Sequence, residues 1–109
     1  RRTDREPAPE PNTLNVGDLE IDARRREVHV AETLIELRRK EFDLLYAIAQ
    51  QPEIVLSREQ LLEQVWGYDF YGETRTVDVH IAKLRKRLVE STVKIETVIG
   101  IGYRLVPSG

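Results

Sequence analysis

The apolar residues of the first part of the chain alternate with polar residues. Over residues 14–37 they occur two positions apart, as in Leu19 and Ile21, and short polar stretches such as Gly17-Asp18 separate the runs. A period of two is typical of strands with one buried face, and the separators are typical of tight turns. The pattern predicts a small antiparallel meander, with His29 on its outer face.

The apolar spacing then changes to that of a helix. Phe42, Leu45 and Ala49 recur at intervals of three and four positions, and Pro52 follows. Such a stripe buries one side of a helix, and the proline closes the segment because it cannot continue the helix. A first helix is predicted over about residues 39–50.

A start signal for a second helix lies at residues 57–60. Ser57-Arg58-Glu59-Gln60 has the form of a capping box, in which the serine hydroxyl accepts a backbone N–H bond and the glutamine side chain reaches back. A buried stripe follows as far as Trp66, so this helix is predicted to end at Gly67. Residues 54–56, which precede the box, are typical of a short strand.

A third helix is predicted over residues 74–90. Val77, Ile81, Leu84 and Leu88 fall on one stripe of this helix, which we expect to form its buried seam. The opposite face carries three cations and no acid, and it comprises Arg75, Thr76, Val79, Ala82, Lys83 and Lys86.

This basic face has two interpretations, a solvated charged surface or a nucleic-acid contact. Val79 and Ala82 at its centre gain nothing in water, but they suit thymine methyl groups in a DNA major groove, beside cations placed for phosphates or guanine edges. Residues 96–106 add a closing hairpin whose glycines permit a tight reversal. A sheet, three helices with a basic third and a terminal hairpin describe a winged helix-turn-helix, an α+β fold.

The charge is segregated along the chain. The 109 residues carry 17 Lys plus Arg against 19 Asp plus Glu, a net charge of −2. Residues 14–73 hold seven cations against thirteen acids, and residues 74–109 hold seven against three. The whole excess of four lies within residues 75–88, so the low net charge does not argue against DNA. The run Arg24-Arg25-Arg26 is interpreted as a solvated turn rather than a phosphate patch.

Composition disfavours several classes of site. The chain has no Cys and two His, at positions 29 and 80, which leaves no thiolate ligand or nucleophile and disfavours a metal site. No apolar run approaches the roughly 18 residues of a membrane helix. Gly100-Ile101-Gly102 lacks the following helix that a phosphate loop needs, and no nucleophile has a nearby His. We therefore expect neither an enzyme, a cofactor, a metal site nor a membrane segment.

Residues 1–13 are predicted to be a linker, and residues 14–109 the folded domain. The first segment has prolines at positions 7, 9 and 11, balanced charges and no large apolar residue, so it cannot bury enough surface to order itself. It is either a disordered end or a functional tether. The chain begins with Arg1 and has no Met, which indicates a piece of a longer protein.

A glycine-bounded loop at residues 67–72 contains three aromatic residues, Tyr68, Phe70 and Tyr71. Aromatic side chains in a loop mark either a contact surface or packing beneath the loop. The sequence pattern leaves both interpretations open.

Six motifs resemble, in order and spacing, the C-terminal effector domain of OmpR/PhoB-type bacterial response regulators. They are Glu41-Phe42-Asp43-Leu44-Leu45, Ser57-Arg58-Glu59-Gln60-Leu61-Leu62, Val65-Trp66-Gly67, Arg75-Thr76-Val77-Asp78-Val79-His80-Ile81, Leu84-Arg85-Lys86 and Gly100-Ile101-Gly102-Tyr103-Arg104. The match covers about residues 14–106, and it is specific because separate motifs agree in one order.

The resemblance implies a four-stranded N-terminal sheet, a three-helix core and a C-terminal hairpin wing. It implies a cytoplasmic output domain of a two-component system, joined to a receiver domain that a sensor kinase phosphorylates. It further implies a head-to-tail dimer on direct repeats of double-stranded promoter DNA, with the third helix in the major groove and the wing at the minor groove. RNA polymerase is the implied protein partner.

The resemblance also carries roles onto individual residues. Lys83 and Asp78 occupy positions directed towards bases, and Val79 one that meets a thymine methyl group. Positions used on phosphates or flanking bases are Arg75, Thr76, His80 and Arg85, beside Lys86 from the basic face. Positions that contact the DNA backbone or support those that do are Trp66, Thr97 and Tyr103. The loop that touches RNA polymerase corresponds to Tyr68, Asp69, Phe70, Tyr71 and Glu73.

Two positions depart from the family pattern. Ile99 stands where the wing usually carries the Arg that enters the minor groove, so weak affinity for isolated DNA is expected. Arg38 stands where Thr or Ser commonly caps the first helix, a loss on the order of 1 kcal/mol. The missing wing Arg gives weight to an alternative function, a winged-helix protein-interaction module whose contact surface is the acidic body and aromatic loop.

Overall fold

The computed structural model describes residues 13–68, 70 and 72–107. Along the chain a strand meander is followed by three helices and a hairpin, as the sequence predicts. The elements are β1 (Thr13–Val16), β2 (Leu19–Asp22), β3 (Glu27–Val30), β4 (Thr33–Ile35), α1 (Arg39–Ala49), β5 (Leu56–Ser57), α2 (Arg58–Trp66), α3 (Arg75–Arg87), β6 (Val93–Val98) and β7 (Gly102–Pro107). Residues 1–12, nearly all of the predicted linker, lie outside the described residues.

The meander forms a four-stranded antiparallel sheet in the order β1-β2-β3-β4. Leu19 and Ile21 of β2 are buried and pair with Val30 and Val28 of β3. His29 alternates with these buried valines, so it lies on the outer face. The period of two therefore predicted both the strands and the buried face correctly.

The three helices enclose the core against this sheet and the hairpin. The predicted seam is confirmed, because Val77, Ile81 and Leu84 of α3 and Leu88 directly after it are all at most 3% exposed. Among the described residues, no helix combines the length and apolarity that crossing a bilayer needs.

The helix starts differ in how they are capped. Ser57 Oγ accepts from the Gln60 N–H at 3.0 Å, and Gln60 Oε1 accepts from the Ser57 N–H at 2.8 Å, which confirms the capping box of α2. At α1 the Arg38 side chain makes no cap bond. Glu41 Oε1 nevertheless accepts from the Arg38 N–H at 2.9 Å, so one half of a capping box is retained.

Three predicted boundaries are displaced, and one is that of the hairpin, which spans Val93–Val98 and Gly102–Pro107 rather than residues 96–106. Helix α3 ends at Arg87, three residues early, because the chain turns at Leu88 and Ser91 bonds to Asp18: Ser91 Oγ donates to Asp18 Oδ1 at 2.6 Å. This bond and a second from the Thr92 N–H hold the pKa of Asp18 below its ordinary value. The short strand is Leu56–Ser57 rather than residues 54–56, since its register is set by pairing with β7.

The hairpin of β6 and β7, called the wing below, packs against β5 in the order β5-β7-β6. The strands pair from Val93 with Pro107 to Val98 with Gly102. A Cβ at Gly102 would stand 1.9 Å from the Leu56 carbonyl oxygen, so only glycine permits this approach of β7 to β5.

Candidate DNA-binding surface

One face of α3 is exposed and cationic. Arg75, Lys83 and Lys86 are exposed along it, with Val79, 44% exposed, and Ala82 between them. None of these three cations has an ion-pair partner among the residues that the structure describes. The face therefore presents unpaired positive charge around two small apolar side chains, and Thr76 lies half-buried at its edge.

The flank of α3 beside the wing is occupied by Arg85. Its guanidinium donates to the Ile95 carbonyl, from Nη2 at 2.7 Å, and to Thr97 Oγ1 at 2.8 Å. The same group lies 5.7 Å from the centre of the Tyr103 ring. Arg85 thus joins α3 to β6, and two residues that the resemblance placed at DNA are in contact with each other.

Asp78 lies on the same flank and joins three elements. Its Oδ1 accepts from Arg58 Nε at 3.0 Å and from the Tyr103 hydroxyl at 2.6 Å. Burial and the neighbouring Asp78 raise the pKa of Tyr103, and the charge of Asp78 raises the pKa of Arg58. Both recorded bonds use one carboxylate oxygen, and the Asp78 side chain remains 35% exposed.

The other flank of α3 packs against the end of α2. His80 Nδ1 lies 2.9 Å from the Thr76 carbonyl oxygen, and the His80 ring meets Trp66 edge-on at 5.0 Å. Lys40 Nζ donates to the Val65 carbonyl and lies 5.7 Å from the Trp66 ring centre. Trp66 is half-buried here, and its ring contacts both His80 and Lys40.

Beside this flank, α1 and α3 line a depression of about 440 Å³. Its cations are Arg38, Lys83, Lys86 and Arg87. Glu41, 1% exposed, accepts from Arg87 Nε at 3.3 Å. The sequence pattern gave no sign of this cluster, because Arg87 and Glu41 are 46 positions apart and Glu41 sits within an ordinary helix start.

The loop after α2 exposes an aromatic side chain. Tyr68 is 85% exposed, whereas Phe70, 37% exposed, tilts against Trp66 with 6.2 Å between ring centres. Phe70 therefore packs beneath the loop, whereas a contact-surface role for the exposed Tyr68 stays a prediction. Glu73 is exposed, and Asp69 and Tyr71 lie outside the described residues.

A family model described as "Transcriptional regulatory protein, C terminal" matches residues 31–105. The chain belongs to this family. It is thus an OmpR/PhoB-type winged-helix domain, of a class that binds DNA and regulates transcription and is not a class of enzymes. In response regulators, domains of this family sit downstream of a phosphorylatable receiver domain.

Curated relatives are similar over most of the chain. It is 56% identical over 86 residues to the uncharacterized transcriptional regulatory protein YclJ of Bacillus subtilis, covering 77% of the chain and 38% of that protein. It is 43% identical over 94 residues to the heme response regulator HssR of Staphylococcus aureus, covering 84% of the chain and 42% of the relative. The chain therefore spans about two fifths of the length of these relatives.

Solved structures agree with the fold. The DNA-binding domain of RstA from Klebsiella pneumoniae, in complex with the RstA box, has a TM-score of 0.77 at 33% identity, covering 87% of this chain and 97% of that one. The DNA-binding domain of CpxR from E. coli has a TM-score of 0.78 at 32% identity, covering 94% and 100%.

Proposed function

We propose that this domain binds specific promoter sequences as the output domain of a two-component response regulator. Helix α3 enters the major groove, and the wing lies at the adjacent minor groove. The observation that carries the proposal is the exposed face of α3, where Arg75, Lys83 and Lys86 surround Val79 and Ala82 and have no ion-pair partner among the described residues. Small apolar side chains between free cations match a groove floor between two phosphate backbones.

The base contacts are assigned to the middle of this face. Lys83 reaches a guanine edge, and Val79 packs against a thymine methyl group. Asp78 accepts from a base amino group through its second oxygen, Oδ2, while Arg58 and Tyr103 hold the first.

The backbone contacts surround the base contacts. Arg85 and Thr97 fix the wing to α3 and present the remaining guanidinium edge to a phosphate. The other residues assigned to phosphates, directly or by support, are Arg75, Thr76, His80, Lys86, Trp66 and Tyr103.

The partners follow from the same arrangement. Two copies bind head-to-tail on direct repeats in the cytoplasm, under control of a receiver domain that a sensor kinase phosphorylates. The loop with exposed Tyr68, together with Asp69, Phe70, Tyr71 and Glu73, contacts RNA polymerase.

Salt dependence tests the DNA contact. With about five phosphates bound per domain, log K plotted against log salt should fall with a slope of about −4 to −5. Arg75→Ala should reduce the slope by about 1, because it removes one phosphate contact. Arg25→Ala is the matched control, an exposed cation on the far meander, and it should leave the slope unchanged.

A second function is favoured by Tyr68, whose exposed ring lies on an acidic body: a protein-interaction module without sequence-specific DNA binding. Selection from random DNA separates the two. Recovery of a repeated motif supports promoter binding. Failure of both the domain and the phosphorylated full-length protein to bind any DNA at low salt would leave the protein-interaction function.

A further inference from the structure

The tip of the wing exposes two isoleucines. Ile99 is 91% exposed and Ile101 58% exposed, on either side of Gly100. The Ile101 N–H donates to the Val98 carbonyl at 2.9 Å, and Gly100 has a φ of +78°, so the turn is closed by its backbone. Neither isoleucine belongs to the core, and the fold therefore gives no reason for large apolar side chains at this place.

The tip also carries no positive charge. Between Ile95 and Tyr103 the only charged residue is Glu96, and Arg104 pairs with it. A cation inserted into a narrow minor groove reads its enhanced negative potential. That mode of recognition is not available to this tip, whose exposed surface is aliphatic.

The position of the tip is coupled to α3. Arg85 on α3 bonds to Ile95 and Thr97 of β6, and Asp78 on α3 bonds to Tyr103 of β7. These bonds hold both strands of the wing against one flank of the helix. The proposed function sets α3 in the major groove and the wing at the adjacent minor groove, and these bonds fix the wing relative to the helix.

We propose that Ile99 and Ile101 form an apolar wedge that packs into the minor groove and selects for a deformable base step. The inference rests on the proposed function and adds a specificity determinant to it. Aliphatic wedges partly unstack a step, and pyrimidine–purine steps such as TA yield most easily. The wing then reads flexibility, whereas α3 reads base edges.

The first test compares three variants on one selected binding site. Ile99→Ala should weaken binding about five- to tenfold with an unchanged salt slope, because the lost contact is apolar. Ile99→Arg should steepen the slope by about 1 and move the preference towards stiff, narrow A-tracts. Ile54→Ala, which removes a 52% exposed isoleucine that is not part of the wing, is the control and should bind as the parent domain does.

The second test changes the DNA. Replacing a TA step under the wing by AA should weaken the parent domain and have little effect on Ile99→Ala. A 2-aminopurine placed at that step should brighten when the parent domain binds, since unstacking relieves its quenching, and should brighten less with Ile99→Ala.

Three results would overturn the wedge. One is equal affinity of Ile99→Ala and parent, and another is an unchanged 2-aminopurine signal. The third is a loss confined to cooperativity on paired repeats, with single-site affinity intact, which would assign the isoleucines to a second copy of the chain. Each result is obtained with a parent domain that binds DNA, so it is distinct from failure of the proposed function, in which the parent domain binds no DNA.

Discussion

Arg75, Lys83 and Lys86 on α3 have no ion-pair partner within the described ranges, whereas the neighbouring wing is fastened at several points. The residues just before its first strand, Ser91 and Thr92, donate to Asp18. Its two strands are held to α3 by Arg85 and by the bond between Asp78 and Tyr103. The hydrogen bonds, each with its donor first, are Ser91 to Asp18, Thr92 to Asp18, Arg85 to Ile95, Arg85 to Thr97, and Tyr103 to Asp78. Charged side chains without an ion-pair partner in the domain can bind a ligand, whereas the paired side chains hold the wing in place against α3. Substitutions of these exposed cations of α3 should therefore change binding, and substitutions of the residues that bond the wing to α3 should change stability first.

The largest expected effect is that of Gly102→Ala. A Cβ there would meet the Leu56 carbonyl oxygen at 1.9 Å, and a backbone atom cannot rotate away, so β7 must separate from β5. We expect a loss of about 3 kcal/mol in the free energy of unfolding, measured by urea denaturation.

Gly100→Ala is the matched control, two residues earlier and within the turn that Val98 and Ile101 close. No heavy atom lies within 4 Å of its added Cβ, so only the positive φ is penalised, by about 1 kcal/mol. Equal losses at the two glycines would contradict the claim that close packing against β5, and not turn conformation, holds the wing.

Lys83→Ala should affect binding and leave stability alone. Loss of one base contact costs about 1–3 kcal/mol of discrimination, so affinity for the selected site should fall roughly tenfold or more and preference at one position should relax. Titration of the cognate site and of each single-base variant measures this. Arg75→Ala should weaken all sequences alike. If Lys83→Ala lost as much affinity on scrambled DNA as on the cognate site, its role would be that of a phosphate contact.

The elements of this fold could be predicted because their signals are local. The alternation of apolar and polar residues predicted the meander. The buried seam of α3 was predicted from the stripe Val77, Ile81, Leu84 and Leu88, and the start of α2 from Ser57 and Gln60. Each of these signals involves residues that are close together in the sequence. The displaced ends of α3 and β5 depended on partners elsewhere, Asp18 and β7.

The candidate site was predictable only in part for the same reason. The basic face of α3 follows from helical spacing, but the partners of its flanks do not. Tyr103 is 25 positions from Asp78, Thr97 is 12 from Arg85, and Glu41 is 46 from Arg87. Sequence reasoning therefore named residues of the candidate surface without separating the exposed cations from the side chains that bond the wing to α3.

Apart from the Gly100→Ala control, Tyr103→Phe gives the smallest change, and it tests the bond between β7 and α3. It removes the hydrogen bond from the Tyr103 hydroxyl to Asp78, which still accepts from Arg58. We therefore expect the free energy of unfolding at neutral pH to fall by about 1–2 kcal/mol, measured by urea denaturation. The pKa of Tyr103 is raised in the folded state, which means that folding favours the protonated phenol. The advantage of the parent over Tyr103→Phe is therefore complete below pH of about 10, the ordinary tyrosine pKa, and is lost as pH rises through the folded value. A difference that stayed constant from pH 8 to well above pH 10 would mean that the phenol proton does not hold Asp78, and that the wing depends on Arg85 alone at this flank.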